Sequence, residues 1–274
     1  MKILLTNDDG VISQGIQMMS KLLADKGWLE AVVAPDRERS GTGHSITVGH
    51  PVRVHPLDPG MYPAGISAYS CDGTPTDCVN IGLDLFFPHA DFVVSGINQG
   101  PNLGDDVTYS GTVCAALEGV ILGRPAVAVS LCMKPGDTVA HNMTAAITAI
   151  GVLDYVQNSG LPEGVLLNVN VPNVLIKNIK GFMLTSRGKR NYRDKFTCVK
   201  DPRGKDCYWI SGDIVDEHGE GTDVTAVSEG YVSVTPVYMD MTNYSLLYDM
   251  RVSGVEEALG GALKINPKQG ASSN

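Results

Sequence analysis

Two stretches decide the fold: KILLTNDDG (Lys2–Gly10) and AVVAP (Ala31–Pro35). Lys2–Thr6 is a short apolar run rich in strand formers, and the turn residues Asn7-Asp8-Asp9-Gly10 break it. Ile16, Met19, Leu22 and Leu23 recur at helical spacing, Gly27 ends that segment, and Ala31–Ala34 is a second strand closed by Pro35. Strand, helix and strand in this order form a βαβ unit, whose two strands are parallel and joined by a right-handed crossover.

The same alternation continues outward. Thr74-Pro75 with Asp77 three residues on reads as a capped helix start, and Cys78, Ile81 and Leu85 share one face of Thr74–Phe86. Phe92–Val94 is a core strand ending at Ser95-Gly96-Ile97-Asn98. The helix Thr112–Leu122, the strand Ala126–Leu131, the helix Thr138–Gln157 and the strand Leu166–Val171 follow. This pattern predicts an α/β domain over residues 1–172, Rossmann-like and doubly wound around a mostly parallel sheet. Ser40–Ser70, with its Gly, Pro and the alternating runs Ile46–Val48 and Val52–Val54, reads as loops and short strands at a sheet edge. Beyond Pro172 the texture changes. Lys177–Lys205 is basic, Tyr208–Ile210 and Tyr231–Val234 alternate like exposed or hairpin strands, Val255–Leu263 reads as a short helix, and Gly270–Asn274 as a fraying end. Residues 173–274 are therefore expected to be a β-rich oligomerisation arm, not independently folded, which another copy covers in a dimer or higher oligomer.

Composition sets the outer limits. The chain has 274 residues with 21 Lys plus Arg against 30 Asp plus Glu, a net charge of −9. That balance argues against a nucleic-acid duplex as partner, because duplex affinity rests on basic side chains neutralising phosphates. Ile3–Leu5 is shorter than the apolar core of a signal peptide, and Thr138–Leu153 carries His141 and Asn142 and falls short of the roughly 20 apolar residues of a membrane span. The six cysteines, Cys71, Cys78, Cys114, Cys132, Cys198 and Cys207, form no C-x-x-C pair, so reduced thiols in a cytoplasmic protein are expected. Cys198 and Cys207 are the pair to watch for a disulfide.

Chemistry concentrates where ligands of open α/β sheets bind, outside the carboxyl ends of the strands. Asp8 and Asp9 follow the first strand. Two adjacent carboxylates repel unless a cation lies between them, and Mg²⁺ or Mn²⁺ favours such oxygen ligands. A solvated turn is the plain alternative. Asn98, at a later strand end, offers a neutral amide oxygen or else an Asx turn. Ser40, after the second strand, is a neutral ligand or a loop hydroxyl, and Arg37 and Arg39 beside it could offset phosphate charge. Ser110-Gly111-Thr112 opens a helix, where free N–H groups and the helix dipole bind phosphate, or where Ser110 and Thr112 merely cap. The loop Asn102–Asp106 could shape the mouth of the site, and Tyr109 and Arg187–Tyr192 are candidates for contacting the base, with Asn102 and Tyr109 the substrate-binding candidates. Asp105 and Asp106 read not as metal ligands themselves but as residues that support the site from behind or are structural. No histidine pattern, G-x-S-x-G, Walker A or G-x-G-x-x-G sequence follows the first strand.

Together ILLTNDDG (Ile3–Gly10), APDRERSG (Ala34–Gly41), GTPTDCV (Gly73–Val79), VSGINQGPNLGDDV (Val94–Val107), YSGTVCAALEG (Tyr109–Gly119) and EGYVSVTP (Glu229–Pro236) resemble the SurE family of stationary-phase survival proteins, which are metal-dependent nucleotidases. The resemblance spans most of the chain in the expected order. It implies hydrolysis of nucleoside 5′- and 3′-monophosphates to nucleoside and phosphate, some cleavage of short-chain polyphosphate, and a C-terminal arm exchanged between subunits of a homodimer or homotetramer. It implies one divalent metal ion per subunit on Asp8, Asp9, Ser40 and Asn98, with Asp8 and Asp9 in the catalytic role and Ser110, Gly111 and Thr112 binding phosphate. Cys114 stands where many members have Gly. Three rivals remain open. An aspartyl-phosphatase wants D-x-D, a receiver-like module wants an acceptor Asp where Asn98 stands, and a regulatory nucleotide-binding protein would release no phosphate.

Overall fold

The computed structural model describes residues 1–193, 196–210 and 212–262, without the side chains of residues 261 and 262. Leu263 and the expected fraying end Gly270–Asn274 lie outside the described residues. The chain forms an α/β fold around a nine-stranded, mostly parallel sheet. Its strands are β1 (Ile3–Thr6), β2 (Leu29–Pro35), β3 (Val54–Pro56), β4 (Ser67–Cys71), β5 (Phe92–Gln99), β6 (Ala126–Cys132), β7 (Val165–Pro172), β8 (Phe182–Leu184) and, near residue 235, Val232–Tyr238, which is β13 in chain order. The order across the sheet is β3-β4-β2-β1-β5-β6-β7-β13-β8. Strands β4, β2, β1, β5, β6 and β7 run parallel, and β3 and β13 run antiparallel to their neighbours β4 and β7.

Helices α1 (Gln14–Asp25) and α4 (Asn142–Ser159) cover one face, and α2 (Pro75–Ile81) and α3 (Gly111–Ile121) the other. Alternation along the strands explains this split. Ile3, Leu5, Phe92 and Val94 point to Ile16, Met19 and Leu23, whereas Leu4 and Val93 point to Cys78, Val79 and Ala115. Both faces being apolar is what a parallel sheet wrapped by helices requires. The capped start at Thr74 is present as a reciprocal pair: the Asp77 N–H donates to Thr74 Oγ1 at 3.1 Å and the Thr74 N–H to Asp77 Oδ2 at 2.9 Å. The helix expected through Phe86 is α-helical only to Ile81 and widens into a π-turn over Gly82–Phe86.

Three expectations change. Ile46–Val48 is not a strand, because the Thr47 N–H and hydroxyl donate to the Asp77 carboxylate at 3.0 and 2.6 Å instead of joining a ladder. The sheet does not end at residue 172. Strands β8 and β13 return to it from beyond Pro172, and the first compact unit runs to Tyr238. Tyr231–Val234, expected as an exposed or hairpin strand, is not exposed: Val232–Thr235 is buried, in a strand antiparallel to β7. The polar side chains of Ser233 and Thr235 are satisfied inside by Thr185, whose Oγ1 lies 2.8 Å from Ser233 Oγ and 2.7 Å from Thr235 Oγ1.

The remaining strands of the first unit, β9 (Lys189–Arg193), β10 (Phe196–Lys200), β11 (Asp206–Ile210) and β12 (Asp213–Glu217), make two antiparallel pairs, β10 with β11 and β9 with β12. Cys198 pairs with Tyr208 and Val199 with Cys207, so the two cysteines project from opposite faces of the ladder, and both are free thiols. A short helix α5 (Asp223–Ser228) leads into β13. The second unit begins at Met239, and its described part holds α6 (Tyr244–Val252) and α7 (Val255–Ala262). Among the described residues, no helix is long and apolar enough to cross a membrane.

Candidate active site

Strand β1 sits between β2 on one side and β5 on the other, so the crossovers leave in opposite directions at its carboxyl end. That switch point opens the crevice in which ligands of such sheets bind. Asp8 and Asp9 follow β1, and Asn98 and Gln99 close β5. The turn carrying the two acids is pinned by Asn7, whose amide donates to the Gly10 carbonyl at 3.0 Å and to Ser13 Oγ at 2.9 Å.

Asp8 is buried, at 4% exposure, and meets the N-terminus of α3. Its carboxylate accepts the Thr112 N–H at 3.1 Å on Oδ2 and the Thr112 hydroxyl on Oδ1. Burial nevertheless raises its pKa, against the lowering effect of these bonds and with Glu38 adding to the rise. Asp9 accepts the Gln99 N–H on Oδ2 at 3.0 Å. Burial, then the neighbouring Asp8 charge, pushes Asp9 up to about 7. Among the described residues neither carboxylate has a cationic partner, and the hydrogen bonds from Thr112 and Gln99 do not offset burial.

The remaining expected ligands come to the same rim. The Arg39 N–H donates to the Asp8 carbonyl at 2.7 Å and so draws the loop bearing Ser40 against the turn. Ser40 is exposed, and its hydroxyl donates to Glu38 Oε1 at 2.7 Å. The Asn98 amide nitrogen donates to the Gly100 carbonyl at 2.8 Å, which leaves its amide oxygen without a donor among the described residues. Carboxylate, amide and hydroxyl oxygens form a donor set suited to a hard divalent cation. Among the described residues no group of three or more His, Cys, Asp or Glu is placed to hold a metal ion, so a cation here would lean on neutral oxygens as well as on Asp8 and Asp9.

The phosphate-binding expectation is narrowed. Ser110 caps α3 by accepting the Val113 N–H at 3.1 Å, its own N–H donates to the Asp106 carbonyl at 3.1 Å, and both Thr112 donors are spent on Asp8. Of the three residues, only Gly111 keeps a backbone N–H with no partner among the described residues. What approaches Gly111 closely is Asp8: a Cβ built there would lie 2.9 Å from the Asp8 Cβ and 3.0 Å from Thr42 Oγ1.

Other expected residues are placed differently. Asn102, expected at the substrate, instead ties its loop to the sheet. Its N–H donates to Asn170 Oδ1 at 2.9 Å, its amide to Ser130 Oγ at 2.8 Å, and its carbonyl accepts from Asn168 and Asn170. Tyr109 is exposed beside the site, 68% accessible, and its carbonyl accepts the Gly43 N–H at 3.0 Å. Arg37 and Arg39 turn to Asp36 and do not face the carboxylates. Cys114, one turn into α3, is pushed up to about 11 by burial and then by Asp8, so it is a neutral thiol. Glu38, Thr42 and Gln99 were not singled out from sequence. Only Glu38 and Thr42 carried a signal, their closeness to Ser40 in one rim loop.

The chain matches the family described as Survival protein SurE over residues 3–194. It is 46% identical over 247 residues to a protein named 5′-nucleotidase SurE from Legionella pneumophila (strain Philadelphia 1), across 90% of this chain and 94% of that one. It is 45% identical over 254 residues to a protein of the same name from Geobacter metallireducens, across 92% and 96%. The crystal structure of the Sure protein from Aquifex aeolicus covers 93% of this chain and 100% of its own at 40% identity, with a TM-score of 0.77. With the acidic pair, the amide-bearing strand end and the α3 terminus gathered at one switch point, and with these matches across nearly its whole length, the chain belongs to the SurE family.

Proposed function

We propose that this chain is a metal-dependent nucleotidase that hydrolyses nucleoside 5′-monophosphates, with nucleoside 3′-monophosphates and short-chain polyphosphate as further substrates. The observation that carries the reading is the acidic pair Asp8 and Asp9 after β1, with Asp8 held against the first turn of α3 by Thr112 and lying close to Gly111, whose N–H has no partner among the described residues. The names of the relatives point to the same chemistry. Asp8, Asp9, Asn98 and Ser40 would hold one divalent ion, which when bound supplies Lewis-acid charge to a phosphoryl oxygen and lowers the pKa of a water. Thr112 holds the Asp8 carboxylate from two sides, and the Gln99 N–H holds Asp9. Gly111 donates its N–H to a second phosphoryl oxygen, where the α3 dipole favours the charge that develops. The P–O bond to the nucleoside breaks, water supplies the new oxygen, and its proton ends on the leaving hydroxyl.

A panel of nucleoside 5′- and 3′-monophosphates and polyphosphate, each with Mg²⁺, Mn²⁺ or EDTA, tests the reading. Phosphate release with a divalent ion and its loss in EDTA are expected. Nucleotide binding without phosphate release would instead favour a regulatory module.

We also infer a homodimer or homotetramer in the cytoplasm. Phe196, Tyr208, Trp209 and Ile210 stand more than half exposed on the β10–β11 pair, more apolar surface than one hairpin leaves bare in a monomer. Light scattering coupled to size exclusion is expected to give at least twice the chain mass at micromolar concentration. A stable monomer would refute the assembly.

A further inference from the structure

Arg190 is a charged side chain only 5% exposed, 84 residues from the loop it contacts, and no step above uses it. Its guanidinium grips two carboxylates. Nε and Nη2 donate to the two oxygens of Asp216 at 2.8 and 3.1 Å, within the β9–β12 ladder, and Nη1 donates to Asp106 Oδ2 at 3.1 Å. The Tyr192 hydroxyl donates to the same Asp106 oxygen at 2.6 Å. Burial, then the Asp106 carboxylate, pushes the Tyr192 phenol up to about 12, so it remains a donor.

Asp106 in turn sets the entrance to α3. Its carbonyl accepts the N–H groups of Tyr109 at 3.0 Å and Ser110 at 3.1 Å, the two residues before Gly111. A second clamp lies beside the first. Asp223 accepts the Gly104 N–H at 2.9 Å and the Gly188 N–H at 2.7 Å, and a Cβ at Gly104 would meet the Gly188 carbonyl at 3.0 Å. The loop from Gly104 to Ser110 is thus fastened on one side to Gly188, Arg190, Tyr192 and Asp223 and at its backbone end to the start of α3. An arginine fork suits this duty because it binds two carboxylates at fixed angles, which a lysine ammonium does not.

We propose that Arg190 is a positioning residue for phosphoryl hydrolysis: through Asp106 it holds the Gly104–Ser110 loop so that Tyr109 and the Gly111 N–H face the substrate phosphate. This rests on the nucleotidase reading above. It gives the β9–β12 ladder a part in turnover within its own chain, apart from any role in assembly.

The test uses the full chain with Mn²⁺ and adenosine 5′-monophosphate, comparing Arg190→Met, Arg190→Lys and Asp106→Asn. Arg190→Met is expected to lower kcat/KM about 100-fold, the scale of a displaced binding group. Arg190→Lys should recover about a tenth of the parental value, since it keeps the charge and loses the fork. Mn²⁺ affinity by titration should stay within about threefold of the parent, because Asp8 and Asp9 hang on β1 and not on the loop. Amide exchange at Tyr109 and Ser110 should speed up in Arg190→Met and less in Arg190→Lys. If Arg190→Met does not fold, Arg190→Lys and Asp106→Asn decide by the same readouts. Unchanged exchange at Tyr109 and Ser110, or turnover within about threefold of the parent, would overturn the proposal. A parental chain that releases no phosphate would instead overturn the nucleotidase reading, while the exchange experiment still decides whether Arg190 holds the loop.

Discussion

Asp8→Asn is expected to lower phosphate release by about a thousandfold or more, which corresponds to roughly 4 kcal/mol of transition-state stabilisation. The variant should fold. An amide can present its oxygen to the Thr112 N–H and its NH₂ to the Thr112 hydroxyl oxygen, because the hydroxyl rotates, so the contacts made by the carboxylate have an isosteric replacement. What the amide cannot supply is the negative charge that, on the proposed reading, would draw a divalent ion to Asp9, Asn98 and Ser40. The loss is therefore chemical, and Mn²⁺ affinity should fall with it. Near-normal turnover in this variant would remove Asp8 from the reaction.

The same substitution should make the metal-free chain more stable. A buried carboxylate with no cation is an unfavourable charge, and neutralising it relieves its neighbour. The sign follows from Asp9, raised from 3.8 to about 7 by burial and then by Asp8. The folded state binds a proton there that the unfolded state has released, so the group weakens the metal-free fold as pH rises from about 4 through about 7. Thermal melts in EDTA should show the parent losing stability across that window, with a shallower loss in Asp8→Asn. A parent whose melting temperature climbs over the same window would contradict the charge argument.

Gly111→Ala is the second large effect. At the first position of an exposed helix, alanine would normally stabilise by up to about 1 kcal/mol. Here the new methyl meets the Asp8 Cβ at 2.9 Å, Asp8 Oδ2 at 3.0 Å and Thr42 Oγ1 at 3.0 Å, all inside ordinary contact. The Asp8 backbone has no room to retreat, since β1 is hydrogen-bonded to β2 and β5 on both sides. The carboxylate or the Thr42 loop must move, at about 1–3 kcal/mol of stability and about 100-fold in kcat/KM. Gly151→Ala is the control. It lies within α4 with its nearest neighbour, Phe182, 3.7 Å from a built Cβ, so it should leave turnover intact and stabilise slightly. Equal behaviour of the two variants would show that the approach of Asp8 to α3 is unimportant.

The parts of the site that could be read from sequence are those set by local chain direction. Asp8, Asp9 and Asn98 each end an apolar strand, and a parallel sheet brings such ends to one rim. Ser110 was legible as a cap because capping is decided within three residues, and Thr74 with Asp77 for the same reason. The use of Thr112 was not legible. Its donors could have faced a phosphate, and only the approach of α3 to β1 shows them committed to Asp8. The contacts of Asn102 were not legible for a similar reason. A Gly-rich loop beside a site reads as a substrate contact, yet Asn102 is held by side chains 28 to 68 residues away on β6 and β7.

The amino-acid sequence by itself determined the βαβ alternation, the acidic pair at the end of the first strand and the family. Tertiary structure alone decided that β8 and β13 belong to the central sheet, that Cys198 and Cys207 face apart, and that Arg190 reaches Asp106. The physical reason is range. Hydrophobic period and turn chemistry act over a few residues and are written in order along the chain. Strand register and buried ion pairs join positions tens of residues apart, where spacing carries no signal until the core has closed.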